Sequence, residues 1–423
     1  MKETSLIPKL FFTLKGYSKE NLKNDVIAGI IVAIIALPLS IALALASGVE
    51  PEKGLYTAII AGFVISFLGG STVQISGPTA AFATIVAGIV ATKGLDGLAI
   101  ATIMAGIILI LMGILRIGNL IKFMPNSITT GFTSGIAVTI VIGQLKDFFG
   151  VTFTHSPVET MEKLLEFGKC FSTMNIWALV IGVLALIILI VSPKFLKKIP
   201  ASLIAILVCS VIVWAFRVKA NTIGDLYEIS TALPKFAIPE ITTQKIISLI
   251  PDAFTIAILA AIESLLSCVV ADGMTGTESK HNSNMELVAQ GAGNMCSALF
   301  GGIPATGAIA RTAANIKNGG TTPVSGIVHA IVLLFVLVVF MPYASLIPMP
   351  VIAAILFMVA YNMSEWRYFV HVCKKAPVLE VIVLLVTFVL TVVFDLIVAI
   401  AVGLSLHIVF LILKKIFKKK ENN

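Results

Sequence analysis

Charged side chains are scarce in this 423-residue chain, in which 12% of the residues are charged and 58% are hydrophobic. A soluble domain carries about 25% charged residues, so the composition excludes a soluble globular protein. The mean hydropathy is +1.04, and charge-free runs close to or longer than the ~20 residues of a spanning helix recur along the chain. The sequence therefore predicts an all-α polytopic membrane protein.

The sequence also lacks the motifs of several other classes of protein. Its five cysteines are scattered without metal-ligand spacing, so neither a metal site nor a disulfide framework is predicted. No GxxxxGK[ST] loop occurs, which excludes nucleotide hydrolysis by the usual phosphate-binding loop. We expect no cofactor and no enzymatic reaction.

Positive charge is concentrated in a few segments. The net charge is +8, and its clustering fits the positive-inside rule for membrane proteins rather than nucleic-acid binding. If all the clusters face the cytoplasm, both termini are cytoplasmic and the number of spans is even. We expect a multi-pass protein of the cell (inner or plasma) membrane. The clusters are Lys2–Lys23, Lys194–Lys198, Arg367–Lys375 and Lys414–Lys420.

Two of the predicted spans are too short to cross the bilayer as helices. They are the third and the tenth, and the extended segments 72–76 and 302–306 are predicted to precede them. Extended backbone at membrane depth is tolerated only inside protein or along a wet cavity. The fourteen predicted spans lie near 26–47, 54–69, 78–92, 97–115, 126–145, 175–192, 201–216, 252–271, 286–300, 307–317, 323–341, 350–363, 377–394 and 396–413.

The two halves of the chain repeat weakly. Because each half holds seven spans, the second copy must insert upside down, which predicts 7+7 inverted repeats over about 20–220 and 245–415. Chance recurrence of such pairs in apolar sequence is the alternative. Three matches occur in the same order: Leu55 and Leu287, the Gly69–Gly70 and Gly301–Gly302 pairs fourteen residues later, and Met124–Pro125 with Met349–Pro350.

The two short spans predict an anion site. The repeat brings two half-helix N-termini together near the midplane, and each carries free N–H groups and about half a positive charge. Pro78 suits the first helical turn, and Gly77 and Gly307 would let a ligand approach the backbone. Close helix packing by small residues is the alternative. The candidate ligand residues are Ser76, Gly77, Pro78, Thr79, Phe82, Gly307, Ala308, Ile309, Ala310 and Arg311, with Thr306 as a further hydroxyl.

Among the ionisable residues inside the predicted spans, Glu263 and Arg311 are the candidates for chemistry. Glu263 is eleven residues from Asp252, which places it roughly 16 Å along a helix and near mid-bilayer, where a carboxyl is suited to reversible protonation. We predict that Glu263, with Ser267 one turn away, couples an ion, and that Arg311 attracts the anion. The alternatives are a structural Glu263–Arg311 pair and an Arg311 that snorkels to the surface. His329 is predicted to be packed and hydrogen-bonded.

Seven strings make the chain similar to the membrane domain of the bacterial sulfate permease (SulP) anion transporters along almost its whole length. They are Ala36–Pro38, Gly54–Tyr56, Gln74–Thr79, Glu263–Ser267, Ala271–Gly276, Gly301–Pro304 and Asn315–Gly320. The resemblance implies a core domain of spans 1–4 and 8–11 and a gate domain of spans 5–7 and 12–14, with the anion between spans 3 and 10. The implied parts are a cytoplasmic segment 1–25, core 26–116 and 245–341, gate 117–220 and 342–414, and a basic cytoplasmic tail 415–423.

The resemblance implies a secondary active transporter of small anions that works by elevator-like alternating access and catalyses no reaction. It also implies a homodimer in the lipid bilayer. The eighth-span acid of the family falls on Glu263, and the basic residue that some relatives place by the anion falls on Arg311. Sodium-driven bicarbonate relatives have Asp and Thr where this chain has Glu263 and Ile309, which favours proton-coupled symport.

Two departures from the family pattern affect the assignment. Many sulfate transporters have Pro-Gln where this chain has Pro38-Leu39, so sulfate, bicarbonate and dicarboxylates all stay open as substrates. Most members carry a cytoplasmic STAS domain after the last span, and this sequence stops at Asn423, so we expect that domain to be absent. The alternative functions are a nucleobase permease of the same fold and an anion channel.

Overall fold

The computed structural model describes residues 6–118, 125–155, 157–196, 199–276, 280–394, 398–407 and 409–410. Short strands β1 and β2 span Ser76–Gly77 and Thr306–Gly307. The helices are α1 Lys9–Thr13, α2 Lys19–Ala46, α3 Pro51–Leu68, α4 Ala80–Ile114, α5 Asn126–Phe149, α6 Thr160–Cys170, α7 Ile176–Phe195, α8 Ala201–Phe216, α9 Ile223–Leu226, α10 Thr243–Thr275, α11 Ser283–Leu299, α12 Ile309–Lys317, α13 Val324–Ala344, α14 Met349–Ser364, α15 Trp366–Lys375, α16 Val378–Val393 and α17 Val398–His407.

The helices match the predicted spans, with differences at their ends. Predicted spans 3 and 4 both lie in α4, which is broken at Gly94, where φ is +70° and ψ is −177°. Helix α10 begins at Thr243, well before the predicted start at 252, because Thr242 caps it by accepting a hydrogen bond from the Lys245 amide at 3.3 Å. Glu263 is therefore not at the centre of its helix. Eight described helices are long and apolar enough to cross a membrane.

The two extended segments meet in the middle of the molecule. Strands β1 and β2 pair antiparallel, with Ser76 opposite Gly307 and Gly77 opposite Thr306. The prediction of non-helical backbone before both short spans is confirmed at these residues. Because each strand runs directly into a half-helix, the pairing fixes the starts of α4 and α12 side by side.

The spanning helices pack in two groups. Helices α2, α3, α4, α10, α11, α12 and α13 pack around the strand pair, and helices α5, α7, α8, α14 and α16 pack with one another. Helices α2 and α4 contact the second group through α5, α8 and α14.

The repeat markers lie at corresponding places where the structure describes them. Leu55 on α3 and Leu287 on α11 are both fully buried, and these two helices pack together. Pro125 is the residue before α5, whereas Pro350 lies inside the first turn of α14. Met124 and the predicted basic tail lie outside the described residues.

Candidate functional site

The strand pair presents two half-helix N-termini next to each other. Helix α4 begins at Ala80 after Thr79, and helix α12 begins at Ile309 after Ala308. Neither Thr79 nor Ala308 provides a side-chain cap. The first N–H groups of both helices therefore lack the cap that usually satisfies them, and both helix dipoles point their positive ends here.

Pro78 was expected in the first helical turn and Gly307 at a half-helix N-terminus, but both residues lie before the helices begin. Thr79 and Ala308 have extended backbone, with φ/ψ of −128°/158° and −93°/108°. The Ala308 amide donates to the carbonyl of Ile75 at 2.9 Å, which continues the strand pairing. This pairing delays the start of each helix, so Pro78 precedes the cap of α4 and Gly307 belongs to β2.

Protein side chains, rather than open space, lie against Gly77 and Gly307. A Cβ atom on Gly77 would overlap Nη1 of Arg311, and a Cβ atom on Gly307 would lie 2.6 Å from Cδ of Gln74. Gln74 is buried, and Cys268 Sγ donates to its Oε1. Because they lack a Cβ atom, Gly77 allows Arg311, and Gly307 allows Gln74, to pack directly against the backbone of the strand pair.

Helix α10 contacts the entry segments of both half-helices through two consecutive residues. Thr79 Oγ1 donates to Oε2 of Glu263 at 2.9 Å. Ser264 Oγ accepts from the Gly307 amide at 3.0 Å and lies 2.6 Å from the hydroxyl oxygen of Thr306. Glu263 and Ser264 therefore tie α10 to one segment from each repeat.

Ser267, predicted to couple an ion together with Glu263, contacts Thr312 of α12. It is fully buried, and its hydroxyl contacts Oγ1 of Thr312 at 3.3 Å. Thr312 Oγ1 in turn accepts from the Ile75 amide at 3.1 Å. In this conformation Ser267 supports the strand pair and makes no hydrogen bond to Glu263.

Arg311 is buried, with 1% of its surface exposed, so it does not extend to the surface. Its Nη2 donates to the carbonyl of Pro78 at 3.0 Å and to Ser40 Oγ at 3.4 Å. Its Nε and Nη1 have no hydrogen-bond partner among the described residues. None of the ion pairs within the described ranges joins Arg311 to Glu263. The guanidinium therefore places a full positive charge directly behind β1.

The residues predicted to bind the anion, together with Glu263, divide into an accessible and a buried set. Thr79, Ala308 and Glu263 are partly exposed, and Ile309 and Ala310 are exposed. These residues surround the two half-helix N-termini and form the accessible part of the site. The buried set makes no direct contribution to this surface and comprises Ser76, Gly77, Pro78, Phe82, Gly307 and Arg311.

A polar stripe on α11 holds the strands from behind and was missed in the sequence analysis. Gln290 Nε2 donates to Ser76 Oγ at 3.1 Å and to Glu286 Oε1 at 2.8 Å. Asn294 exchanges two hydrogen bonds with the backbone of Ala305, at 2.8 and 2.9 Å. Glu286, Gln290 and Asn294 follow one another at intervals of four in an otherwise apolar span, and this spacing could have revealed the stripe.

His329 on α13 differs from its prediction in one respect. It is fully buried, as expected, but neither ring nitrogen has a hydrogen-bond partner among the described residues. Its Nδ1 faces Gly62, beside the carbonyl of Ser76.

Comparisons with known proteins agree with this architecture. The model of the sulfate permease family matches residues 22–387. The chain is 48% identical to the Bacillus subtilis (strain 168) protein named "Putative sulfate transporter YvdB", over 94% of this chain and 75% of that protein. It is 36% identical to the bicarbonate transporter BicA of Picosynechococcus sp. (strain ATCC 27264 / PCC 7002 / PR-6), over 90% of this chain and 69% of that protein.

The fold is also similar to that of a solved structure from this family. The transmembrane domain of a cyanobacterium bicarbonate transporter BicA matches with a TM-score of 0.82 at 32% identity, covering 91% of this chain and 98% of that chain. The predicted fold of 7+7 inverted repeats is confirmed, and the protein is a multi-pass integral membrane protein. The chain belongs to the sulfate permease family.

Proposed function

We propose that this protein is a secondary active transporter that carries small anions across the cell membrane together with protons. The observation that carries the proposal is the meeting of two uncapped half-helix N-termini beside a buried Arg311 and a partly exposed Glu263. Relatives named as sulfate and bicarbonate transporters support the anion class. Sulfate, bicarbonate and small dicarboxylates all have the acceptor oxygens that such a site would bind.

Anion binding would rest on backbone donors and on one fixed charge. The N–H groups at the starts of α4 and α12 lie next to the accessible residues Thr79 and Ala308. Anions bind well at such helix ends. Arg311 has two nitrogen atoms without partners and would add long-range attraction from behind the strand pair. Unsatisfied donors in a buried site gain most from an ionised acceptor.

Glu263 is the residue proposed to carry the proton. Its hydrogen-bond donor among the described residues is the hydroxyl of Thr79, and the described ion pairs do not include it. Ionisable side chains inside membrane segments are rare, and carboxyl groups there commonly serve as proton relays. The side chain of Ile309, at the start of α12, offers no oxygen ligand, and a hard cation such as sodium requires oxygen ligands. These features favour protons over sodium.

Transport would follow from relative motion of the two helix groups. The site belongs entirely to the group of helices around the strand pair, so an elevator-like movement of this group against α5, α7, α8, α14 and α16 would carry the anion with it. We propose that the two groups correspond to the core and gate domains of the sequence analysis. We further propose a homodimer. The positions of the lysine clusters favour a topology with both termini in the cytoplasm.

One uptake experiment tests the proposal. Purified protein in liposomes is given radiolabelled sulfate, bicarbonate, succinate or uracil, with an inward proton gradient, an inward sodium gradient or neither. Accumulation of one of the anions under the proton gradient is expected. Uracil uptake would favour a nucleobase permease, and anion flux that follows voltage without counterflow exchange would favour a channel. Accumulation driven by sodium alone would contradict proton coupling.

A further inference from the structure

Thr79 occupies the capping position of α4 but does not cap its own helix. A threonine at this position ordinarily accepts a hydrogen bond from an amide in the first turn. Thr79 makes no such bond, and its hydroxyl instead donates to Oε2 of Glu263 at 2.9 Å. The hydroxyl therefore connects the start of a half-helix to the carboxyl on α10.

We propose that Thr79 links the proton to the anion by donating its single hydroxyl proton to one or the other negative group. When Glu263 is ionised, the hydroxyl donates to its carboxylate. When Glu263 is protonated, the hydroxyl is released and donates to the anion at the start of α4. This inference rests on the proposed function and identifies the residue through which its two ligands are coupled.

The competition follows from elementary chemistry. A threonine hydroxyl has one donor hydrogen, so it cannot serve the carboxylate and the anion at once. An ionised Glu263 beside the start of α4 also occupies the favourable field of the helix dipole and repels a second negative charge. Protonation removes both obstacles. One proton on the Glu263 carboxyl and one anion at the helix start are thus bound together, and no covalent bond other than O–H changes.

Two buried ionisable side chains near α10, those of Arg311 and Glu286, form hydrogen bonds with groups other than Glu263. Arg311 donates to Pro78 and Ser40, and Glu286 accepts from the Gly70 amide at 2.9 Å and from Gln290. In the described part of the chain, no hydrogen bond or ion pair joins any of them to Glu263. The ionisable side chains of α10 and of the elements packed on it are Lys93, Asp96, Lys245, Asp252, Glu263, Cys268, Asp272, Glu286, Cys296, Arg311 and Lys317.

The test compares anion affinity at two pH values in three variants. Thr79→Val removes the hydroxyl at nearly constant shape, and Thr79→Ser retains it. Thr102→Val is the matched control, because Thr102 is a buried threonine of the same helix whose hydroxyl donates to the Leu98 carbonyl at 2.7 Å. The probe is whichever of radiolabelled sulfate, bicarbonate or succinate the wild type takes up best, with its dissociation constant measured at pH 6.5 and pH 8.5.

Wild-type affinity is expected to be higher at pH 6.5. Thr79→Val should weaken binding about 10-fold at pH 6.5, the effect of one hydrogen bond to a charged group, and less than about twofold at pH 8.5. Thr79→Ser and Thr102→Val should keep the wild-type pH dependence. If Thr79→Val does not yield folded protein, Thr79→Ala lacks the same hydroxyl and should give the same pattern.

Three results would overturn the inference. Equal weakening at both pH values would make Thr79 an ordinary ligand, and no weakening at pH 6.5 would remove it from the site. A serine variant that behaves like valine would assign the effect to packing. A different failure belongs to the proposed function: a wild type whose affinity ignores pH would refute proton coupling, and one that binds none of the anions would refute anion transport.

Discussion

Replacing Gly307 by alanine tests the geometry of the strand pair. The new Cβ atom would lie 2.6 Å from Cδ of Gln74 and 3.2 Å from Cα of Ser264, and it would overlap the Gln74 amide nitrogen. Gln74 is buried and bound by Cys268, so it has little freedom to move aside. Overpacking of this kind costs about 1–3 kcal/mol. Displacing Gly307 also strains its 3.0 Å bond to Ser264, worth about 1 kcal/mol.

Gly307→Ala should therefore lose about 2–4 kcal/mol of stability and bind the anion more weakly, because the start of α12 moves. The assay is the melting temperature of purified protein in detergent, followed by anion affinity. Gly88→Ala on α4 is the control, since no atom lies within 4 Å of its added Cβ and alanine favours a helix. Adding Gln74→Ala should recover part of the loss. A Gly307→Ala variant with wild-type melting temperature and affinity would refute the close packing of Gln74 against this strand.

Two further substitutions test the fixed charge and an anchor of the core. Arg311→Ala should weaken anion binding at low ionic strength by about 10-fold, with Arg311→Lys between it and wild type; equal affinity in all three would exclude Arg311 from the site. Asp25 accepts from the amides of Thr321 and Thr322 at 2.7 and 3.1 Å and from Tyr17 at 2.9 Å. Asp25→Ala leaves two amides without their acceptor and should lower stability by about 2–4 kcal/mol, read as melting temperature, while anion affinity of the folded protein is retained.

Much of the fold could be predicted from the sequence, because the bilayer restricts spanning segments to long apolar helices. Apolar runs separated by charged or turn residues specify spans, and the Gly-Gly segments before 78 and 307 specify non-helical backbone that must be buried. The pairing of Ser76 with Gly307 could not be predicted, because two-residue strands have no periodicity. Helix ends were the least predictable feature, since Thr242 caps α10 within a segment that reads as polar loop.

The candidate site was predictable in its ionisable residues and less so in its neutral ones. Glu263 and Arg311 stand out because charge is rare in apolar spans. Ser264 and Gln74 do not stand out, because neutral polar residues are common in membrane helices, and their contacts depend on how α10 is rotated against the strands. That rotation also decides which ligand candidates are accessible, so the burial of Phe82 could not be inferred from its position in the chain.

The most direct test of the account is the Glu263→Gln variant in liposomes. The substitution keeps the volume of the side chain and an oxygen that can accept from Thr79, but it removes the group that titrates. Wild-type uptake should rise as external pH falls, because protonation then loads an outward-facing Glu263. The variant should lose accumulation driven by a proton gradient while it still exchanges anion across the membrane. A variant that concentrates anion under an inward proton gradient as the wild type does would contradict the account.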